Sequence, residues 1–326
     1  MMSFSLRNRM VIGAQLRIKA PGSPVAVHAA KLKSVAATIS DDALTDWDFY
    51  LPKALQKDTL LPTHKSMEET LIDVAWFFWT QSALNYCYWY HDADGTLQHW
   101  VYKGKKGSSG LVVLMQDLYN TTPLYSGDTD AIYAYLGELA STDMWGLPLD
   151  TQRFAQLREV FAFVGPEPFR RIFAKAQQAD GSWHMSADLA QELAEAYPYS
   201  FEDPDFLKRA QLALGMTGAN FIARGQQVSF DLTAYADYRV PQVLRHLGII
   251  TYAPDLAAKV DGGALISPLS VDEVAIRSAT LYACAELARL TGLTDAHIDA
   301  WLFLQTREDA FIQAAKPFHL SRTAAY

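Results

Sequence analysis

The residues best suited to chemistry lie in one segment, residues 230–248, with the sequence FDLTAYADYRVPQVLRHLG. Pro241 has no backbone donor and disfavours a helical conformation at the residue before it, which predicts a helix beginning at Pro241. Asp237 then lies just ahead of the helix N-terminus, where unpaired amides and the helix dipole favour an ionised carboxylate. Beside the aromatic Tyr235 and Tyr238, such a carboxylate is able to stabilise a cationic transition state or to orient a water molecule.

The same carboxylate also has a simple structural explanation. Asp237 would cap the helix that follows, or pair with Arg239 two residues further on. The residue pattern alone gives the catalytic and the structural explanation equal weight.

Familiar signatures of nucleotide, metal and hydrolase sites are absent from the sequence, which contains no GxGxxG, GxxxxGK(S/T), HExxH, GxSxG or CxxC. Residues 91–95 (HDADG) and 295–299 (DAHID) combine acids with histidine. The first run is typical of a turn, and alternate residues of the second point to different faces of a helix. We therefore predict no metal and no cofactor.

Mostly helices are expected to position these residues. Capping boxes at residues 66–69 and 270–273 predict two long helices. Asp203 followed by Pro204 predicts a third helix, which begins at the proline and runs to Ala223.

The fold class predicted from the whole chain is all-α, with about ten helices and at most one small β-hairpin. No period of about 20–50 residues repeats, and no linker divides the chain. We expect a single helical domain over residues 1–326, in which residues 1–25 are a candidate for a loosely attached N-terminal segment.

The composition of the chain limits the classes of binding partner and the cellular location that we expect for the protein. The 28 basic and 36 acidic side chains give a formal charge of −8, which disfavours binding to long nucleic acid. Two cysteines and no recognisable signal peptide indicate a reduced, cytoplasmic environment. The apolar run at residues 71–90 contains polar residues and predicts a buried helix, so no membrane association is expected. The sequence leaves the oligomeric state open.

Five short motifs, in order along most of the chain, resemble those of the queuosine salvage proteins, the queuosine 5′-phosphate N-glycosylases. The most distinctive is DYRVPQ at residues 237–242. The other four are LNYCYW at residues 84–89, KRAQ at 208–211, EVAIR at 273–277, and FH at 318–319 followed by Arg322 and a terminal tyrosine.

This resemblance implies an enzyme with a helical fold related to the helix–hairpin–helix DNA glycosylases. The implied reaction is hydrolysis of the N-glycosidic bond of queuosine 5′-phosphate, which releases ribose 5-phosphate and queuine for salvage of this tRNA base. The implied partner is therefore a small-molecule nucleotide substrate.

The resemblance also implies roles for four residues. Asp237 is the catalytic aspartate, and Tyr235 is the aromatic residue that stacks on the base. His64 and Asp299 are further contacts to the base. Each of the three binding residues has a plainer explanation: Tyr235 as a core residue, and His64 and Asp299 as solvated polar groups.

Three cations are candidates for the 5′-phosphate, because cationic donors suit a phosphate dianion. Lys208 lies early in its predicted helix and serves either the phosphate or an ion pair with an acid. His319 and Arg322 form a phosphate grip or, alternatively, part of a frayed C-terminal segment.

One departure from the family pattern bears on specificity. Counting without gaps from residues 318–319 places Leu304 where the family commonly has a second acid, and Ala300 where it has an aromatic residue. Leu304 lacks the hydrogen-bond acceptor that this acid would provide. An alternative to the enzyme therefore stays open, namely a non-catalytic or altered-specificity module that binds a 7-deazaguanine-type base or a protein partner. A repair glycosylase acting on duplex DNA is disfavoured by the acidic charge.

Overall fold

The computed structural model describes residues 5–40, 44, 46–58 and 66–326, and helices dominate this part of the chain. The prediction of a mainly helical protein is confirmed. The helices are α1 (Leu6–Lys19), α2 (Ala29–Ala36), α3 (Met67–Ala83), α4 (Gly107–Thr121), α5 (Thr129–Leu139), α6 (Asp150–Arg158), α7 (Pro166–Phe173), α8 (Ala187–Ala196), α9 (Pro198–Phe201), α10 (Lys208–Ala223), α11 (Arg239–His246), α12 (Pro254–Asp261), α13 (Val271–Thr291), α14 (Asp295–Gln305) and α15 (Asp309–Ala314).

The largest apolar core surrounds α3, which packs against α10. The predicted capping box starts this helix: Ser66 Oγ accepts the Glu69 N–H at 3.1 Å, and the Glu69 carboxylate accepts the Ser66 N–H at 2.7 Å. The apolar run that follows is buried against neighbouring helices. Among the residues that the structure describes, no helix combines the length and the apolar character needed to cross a membrane.

A second core surrounds α13, which packs against α1, α2 and α14. α1 is held further by Arg7, whose Nε donates to the carboxylate of buried Asp295 at 3.0 Å. These contacts attach residues 6–19 to α13 and α14, while the domain boundaries expected from the sequence stay a prediction.

Strands pair in four two-stranded sheets within the described ranges, more than the single hairpin predicted. The antiparallel hairpins are β2 (Trp89–His91) with β3 (Leu97–His99), and β4 (Val101–Tyr102) with β5 (Lys105–Lys106). The long-range pairs are β1 (Val25–Val27) with β8 (Ile250–Tyr252), antiparallel, and β6 (Trp183–Ser186) with β7 (Val228–Asp231), parallel. These two pairs join segments far apart in sequence, so no local turn signal predicts them.

The start of α10 differs from the predicted one. The helix begins at Lys208 rather than Pro204, because Asp205 and Leu207 have φ angles of 69° and 49°. These left-handed conformations interrupt a right-handed helix. The correction places Lys208 at the helix N-terminus.

The start of α11 also moves, by two residues, from Pro241 to Arg239. A proline is tolerated within the first turn because the amide that it lacks would have no intrahelical acceptor there. Two shorter helices follow α13, since α14 ends at Gln305 and α15 begins at Asp309.

Candidate functional site

A cavity of about 450 Å³ lies where α10, α11, α14 and the end of α3 approach the N-terminus of α4. This volume lies in the range of small-molecule sites. The charged residues that line it are Lys106, Lys208, Asp237, Arg239, Asp299 and Arg307. The ring-bearing residues that line it are Trp47, Tyr50, Tyr86, Tyr88, His99, Tyr235, Tyr238, Phe303 and Tyr326.

Asp237 lies half-buried at this pocket. Its Oδ1 accepts the backbone N–H groups of Arg239 and Val240 at 2.7 and 3.0 Å, so the carboxylate caps α11. The capping explanation and the catalytic explanation are therefore compatible, because both capping bonds use one oxygen and leave the second for a ligand.

Arg239 does not supply the ion pair that the sequence offered as an alternative. Its guanidinium donates to Gln242 Oε1 at 2.9 Å and lies 5.1 Å from the centre of the Phe318 ring. Arg239 therefore adds positive charge to the pocket wall.

Tyr235 is buried at the pocket and is fixed at both its backbone and its ring. Its amide donates to Asp299 Oδ1 at 2.8 Å. Its ring lies so close to Gly215 of α10 that a Cβ at this glycine would stand 2.6 Å from the Tyr235 Cζ. Within the described residues, the Tyr235 hydroxyl has no hydrogen-bond partner.

Asp299 and Lys208 are buried ionisable groups at the same pocket. Burial, assisted by the negative charge of Asp237, raises the pKa of Asp299 well above its usual value. Burial lowers the pKa of Lys208, although the charges of Asp237 and Asp299 act in the opposite direction. Lys208 Nζ donates to the Asn85 carbonyl at 3.4 Å. The choice between a phosphate contact and an ion pair with an acid stays open for Lys208.

Two buried arginines hold the turn that follows α3. Arg209 donates to the carbonyl of Ala83, and Arg153 donates to the carbonyls of Tyr86 and Cys87. Their guanidinium carbons lie 4.8 Å and 4.1 Å from the centre of the Tyr86 ring. Because carbonyls do not neutralise a charge, this wall of the pocket stays electropositive and favours an anionic ligand in a protein of net charge −8.

His319 and Arg322 are not in the lining of the pocket. His319 is fully buried, with Nε2 3.1 Å from the Tyr326 hydroxyl, and burial together with the charge of Arg277 lowers its pKa to about 3. Arg322 is exposed and lies outside the pocket lining. His319 thus contacts Tyr326, which lines the pocket, and is not itself in the lining. His64 lies outside the described residues.

Sequence reasoning missed a second group of basic residues at the pocket. His99, Lys106 and Arg239 all line it, and the charges of Arg239 and Lys106 add to burial in lowering the pKa of His99. Phe318 contacts two of them, since its ring centre lies 6.4 Å from that of His99 and its face lies under Arg239. The FH motif at residues 318–319 thus supports the pocket through its phenylalanine.

The N-terminus of α4 lies beside these cations, with Gly107, Ser108 and Ser109 in the lining. Gly110 permits this arrangement, because a Cβ there would stand 2.7 Å from the Lys105 carbonyl and 2.9 Å from the Trp100 ring. In the sequence, the available signal was the GSSG run at residues 107–110 ahead of an apolar stretch. The Gly107 amide donates to the Trp100 carbonyl at 3.0 Å, and the amides that follow it at the helix start are a general anion-binding feature.

The fold and the site together define a mainly helical small-molecule-binding protein, with an aromatic pocket that joins two carboxyl groups to several cations. Residues 63–326 match the sequence profile of the family described as queuosine salvage protein. The chain belongs to this family. The relation to helix–hairpin–helix DNA glycosylases stays a prediction.

Proteins named queuosine 5′-phosphate N-glycosylase/hydrolase resemble this chain in bacteria and eukaryotes. The relative from Sphaerobacter thermophilus is 32% identical over 219 residues, which cover 61% of this chain and 66% of the relative. The Dictyostelium discoideum relative is 25% identical over 259 residues, covering 74% and 75% of the two chains. The Mus musculus relative is 26% identical over 203 residues, covering 55% and 59%.

Proposed function

We propose that this protein hydrolyses the N-glycosidic bond of queuosine 5′-phosphate, releasing queuine and ribose 5-phosphate. One observation carries the proposal beyond family membership: Asp237 lines an aromatic pocket with one oxygen bound to the start of α11 and the other left for a ligand. The names of the relatives support the same substrate.

Departure of the base leaves positive charge on the ribose. A carboxylate held ionised by helix amides stabilises that charge, or activates the water that attacks the sugar. The free oxygen of Asp237 is proposed for this role. Loss of such a group typically costs about 10²–10⁴-fold in rate.

Departure of the base must be assisted at atoms other than N7, which is protonated in an ordinary purine. A 7-deazapurine lacks N7, so protonation at that atom is not available. Asp299 is proposed as a hydrogen-bond partner of the base, and its raised pKa favours a protonated carboxyl that is able to donate as well as accept. Tyr235 is proposed to stack on the base beside it.

The 5′-phosphate is proposed to bind at His99, Lys106 and Arg239, with the amides at the start of α4. Positive side chains and helix N-terminal amides together suit a phosphate dianion. This assignment uses neither His319 nor Arg322, which are not in the pocket lining. A nearby dianion would also raise the pKa of His99, which the two neighbouring cations now lower.

A cytoplasmic location is part of the proposal, because both cysteines, Cys87 and Cys284, are free thiols in the structure. The proposed partner is the small-molecule nucleotide itself.

The test is to incubate the purified protein with queuosine 5′-phosphate and follow free queuine by chromatography. Release of queuine and ribose 5-phosphate in equal amounts is expected. Binding of queuine by calorimetry without any hydrolysis would favour the non-catalytic alternative, and absence of both would overturn the assignment to this substrate.

A further inference from the structure

Arg277 of α13 is fully buried and connects the two charged segments of the pocket without lining the pocket itself. Its Nε donates to the carbonyl of Ala236, the residue before Asp237, at 2.9 Å. Its Nη1 and Nη2 donate to the two carboxylate oxygens of Asp203 at 2.8 and 2.7 Å. One guanidinium thus binds both the segment that precedes α10 and the segment that precedes α11.

Asp203 extends this connection to Lys208. The Asp203 Oδ2 that accepts from Arg277 also accepts the backbone N–H of Lys208 at 2.8 Å. Lys208 is the first residue of α10, and Asp237 caps α11. A continuous chain of buried hydrogen bonds therefore runs from the segment that bears the acid to the residue that bears the ammonium group.

The guanidinium has little freedom to move within this arrangement. Its central carbon lies 4.0 Å from the Phe206 ring centre and 4.4 Å from that of Tyr326, which lines the pocket. Glu273, one turn earlier on α13, accepts from Nη1 at 3.3 Å. A planar fork with donors in three directions fits these contacts, whereas the single ammonium of a lysine would serve only one or two of them.

We propose that Arg277 is a positioning residue that fixes the Asp237 carboxylate relative to Lys208, and that catalysis depends on this placement. The inference rests on the proposed function, because it concerns the same reaction. Small displacements of a reacting group are sufficient to cost about 10²-fold in rate, which is the size of effect expected here.

The test compares Arg277→Lys with Arg245→Lys. Arg245 is a matched control, since it donates to both oxygens of Asp261 at 2.6 and 3.0 Å and lies 4.6 Å from the Tyr252 ring centre, away from the pocket lining. We expect kcat for queuine release to fall about 10–100-fold in Arg277→Lys, with KM changed less than about threefold, and no change in the control.

A merely structural role is separated by repeating the substitution in an Asp237→Asn background. If Arg277 acts through the carboxylate, Arg277→Lys lowers the residual turnover of Asp237→Asn by less than about threefold. Equal losses in both backgrounds would overturn the proposal. An unchanged kcat in Arg277→Lys would also overturn it.

Asp203→Asn is a second variant that weakens the same connection from the other partner. If Arg277→Lys does not fold, Asp203→Asn takes its place, with the same fall in kcat expected and the same cycle with Asp237→Asn. A failure of the proposed function is distinct from these outcomes, because the unmodified protein would then release no queuine.

Discussion

The backbone amide of Tyr235 donates a 2.8 Å hydrogen bond to the carboxyl group of Asp299. This bond ties the segment ahead of Asp237 to α14, a helix that begins about sixty residues later. A backbone hydrogen bond thus helps to keep Tyr235, and with it Asp237 two residues later, close to Asp299.

Asp237→Asn is expected to abolish most turnover while leaving the fold intact. An asparagine oxygen still accepts the amides of Arg239 and Val240, so the free energy of unfolding should change by less than about 1 kcal/mol. The lost charge should lower kcat about 10²–10⁴-fold, or about 3–5 kcal/mol. Asp128→Asn, at the remote cap of α5, is the control. Full turnover in Asp237→Asn would remove Asp237 from its proposed role.

Gly215→Ala is expected to destabilise the protein by about 1–3 kcal/mol and to weaken queuine binding, because the new methyl group collides with the Tyr235 ring. Adding Tyr235→Phe should recover part of the loss, since the hydroxyl is among the colliding atoms. The measurements are the midpoint of chemical denaturation and calorimetric titration with queuine. Gly137→Ala is the control, because its Cβ would meet nothing within 4 Å; equal effects of the two substitutions would contradict the packing argument.

The free energy of unfolding is expected to depend on pH through the titration of Asp299. Because its folded pKa is raised above the ordinary value of 3.8, the folded state binds this proton more tightly than the unfolded state does. The Asp299 contribution is therefore fully present below about pH 4 and is lost as the pH rises through the raised folded pKa.

Asp299→Asn makes this pH dependence measurable. The asparagine side-chain oxygen still accepts the backbone N–H of Tyr235, and the side chain does not titrate. Relative to the unmodified protein, the variant should gain unfolding free energy as the pH rises above 4, by at most about 1.4 kcal/mol per pH unit. Denaturation midpoints measured between pH 4 and pH 8 provide the comparison. A difference that stays constant with pH would show that burial does not raise this pKa.

Lys106→Met is expected to discriminate between the nucleotide and its nucleoside. Loss of a charged hydrogen bond of about 1.5–3 kcal/mol should raise KM for queuosine 5′-phosphate about 10–100-fold and leave hydrolysis of queuosine unchanged. Lys103→Met, in the same hairpin but paired with Asp117 at 2.7 Å and outside the pocket lining, is the control. Equal losses on both substrates would place the phosphate elsewhere.

The sequence alone determined the features that depend on neighbours along the chain. The capping box at residues 66–69, the mainly helical class and the position of Asp237 at a helix start follow from local rules, because a cap needs only residues a few positions apart. The motifs around Asp237 also sufficed to indicate the family that the sequence profile shows.

Only the tertiary structure decided which residues share the pocket. His99 and Lys106 come from two adjacent hairpins, whereas Arg239 lies more than a hundred residues further along the chain, and no spacing rule connects it to them. His319 appeared to be a free cation in the sequence, but packing against Tyr326 buries it as a neutral ring. Long-range packing, which sets burial and hence charge, is the physical reason that the sequence identified Asp237 and Lys208 but not the placement of His99, Lys106 and Arg239 in the same pocket.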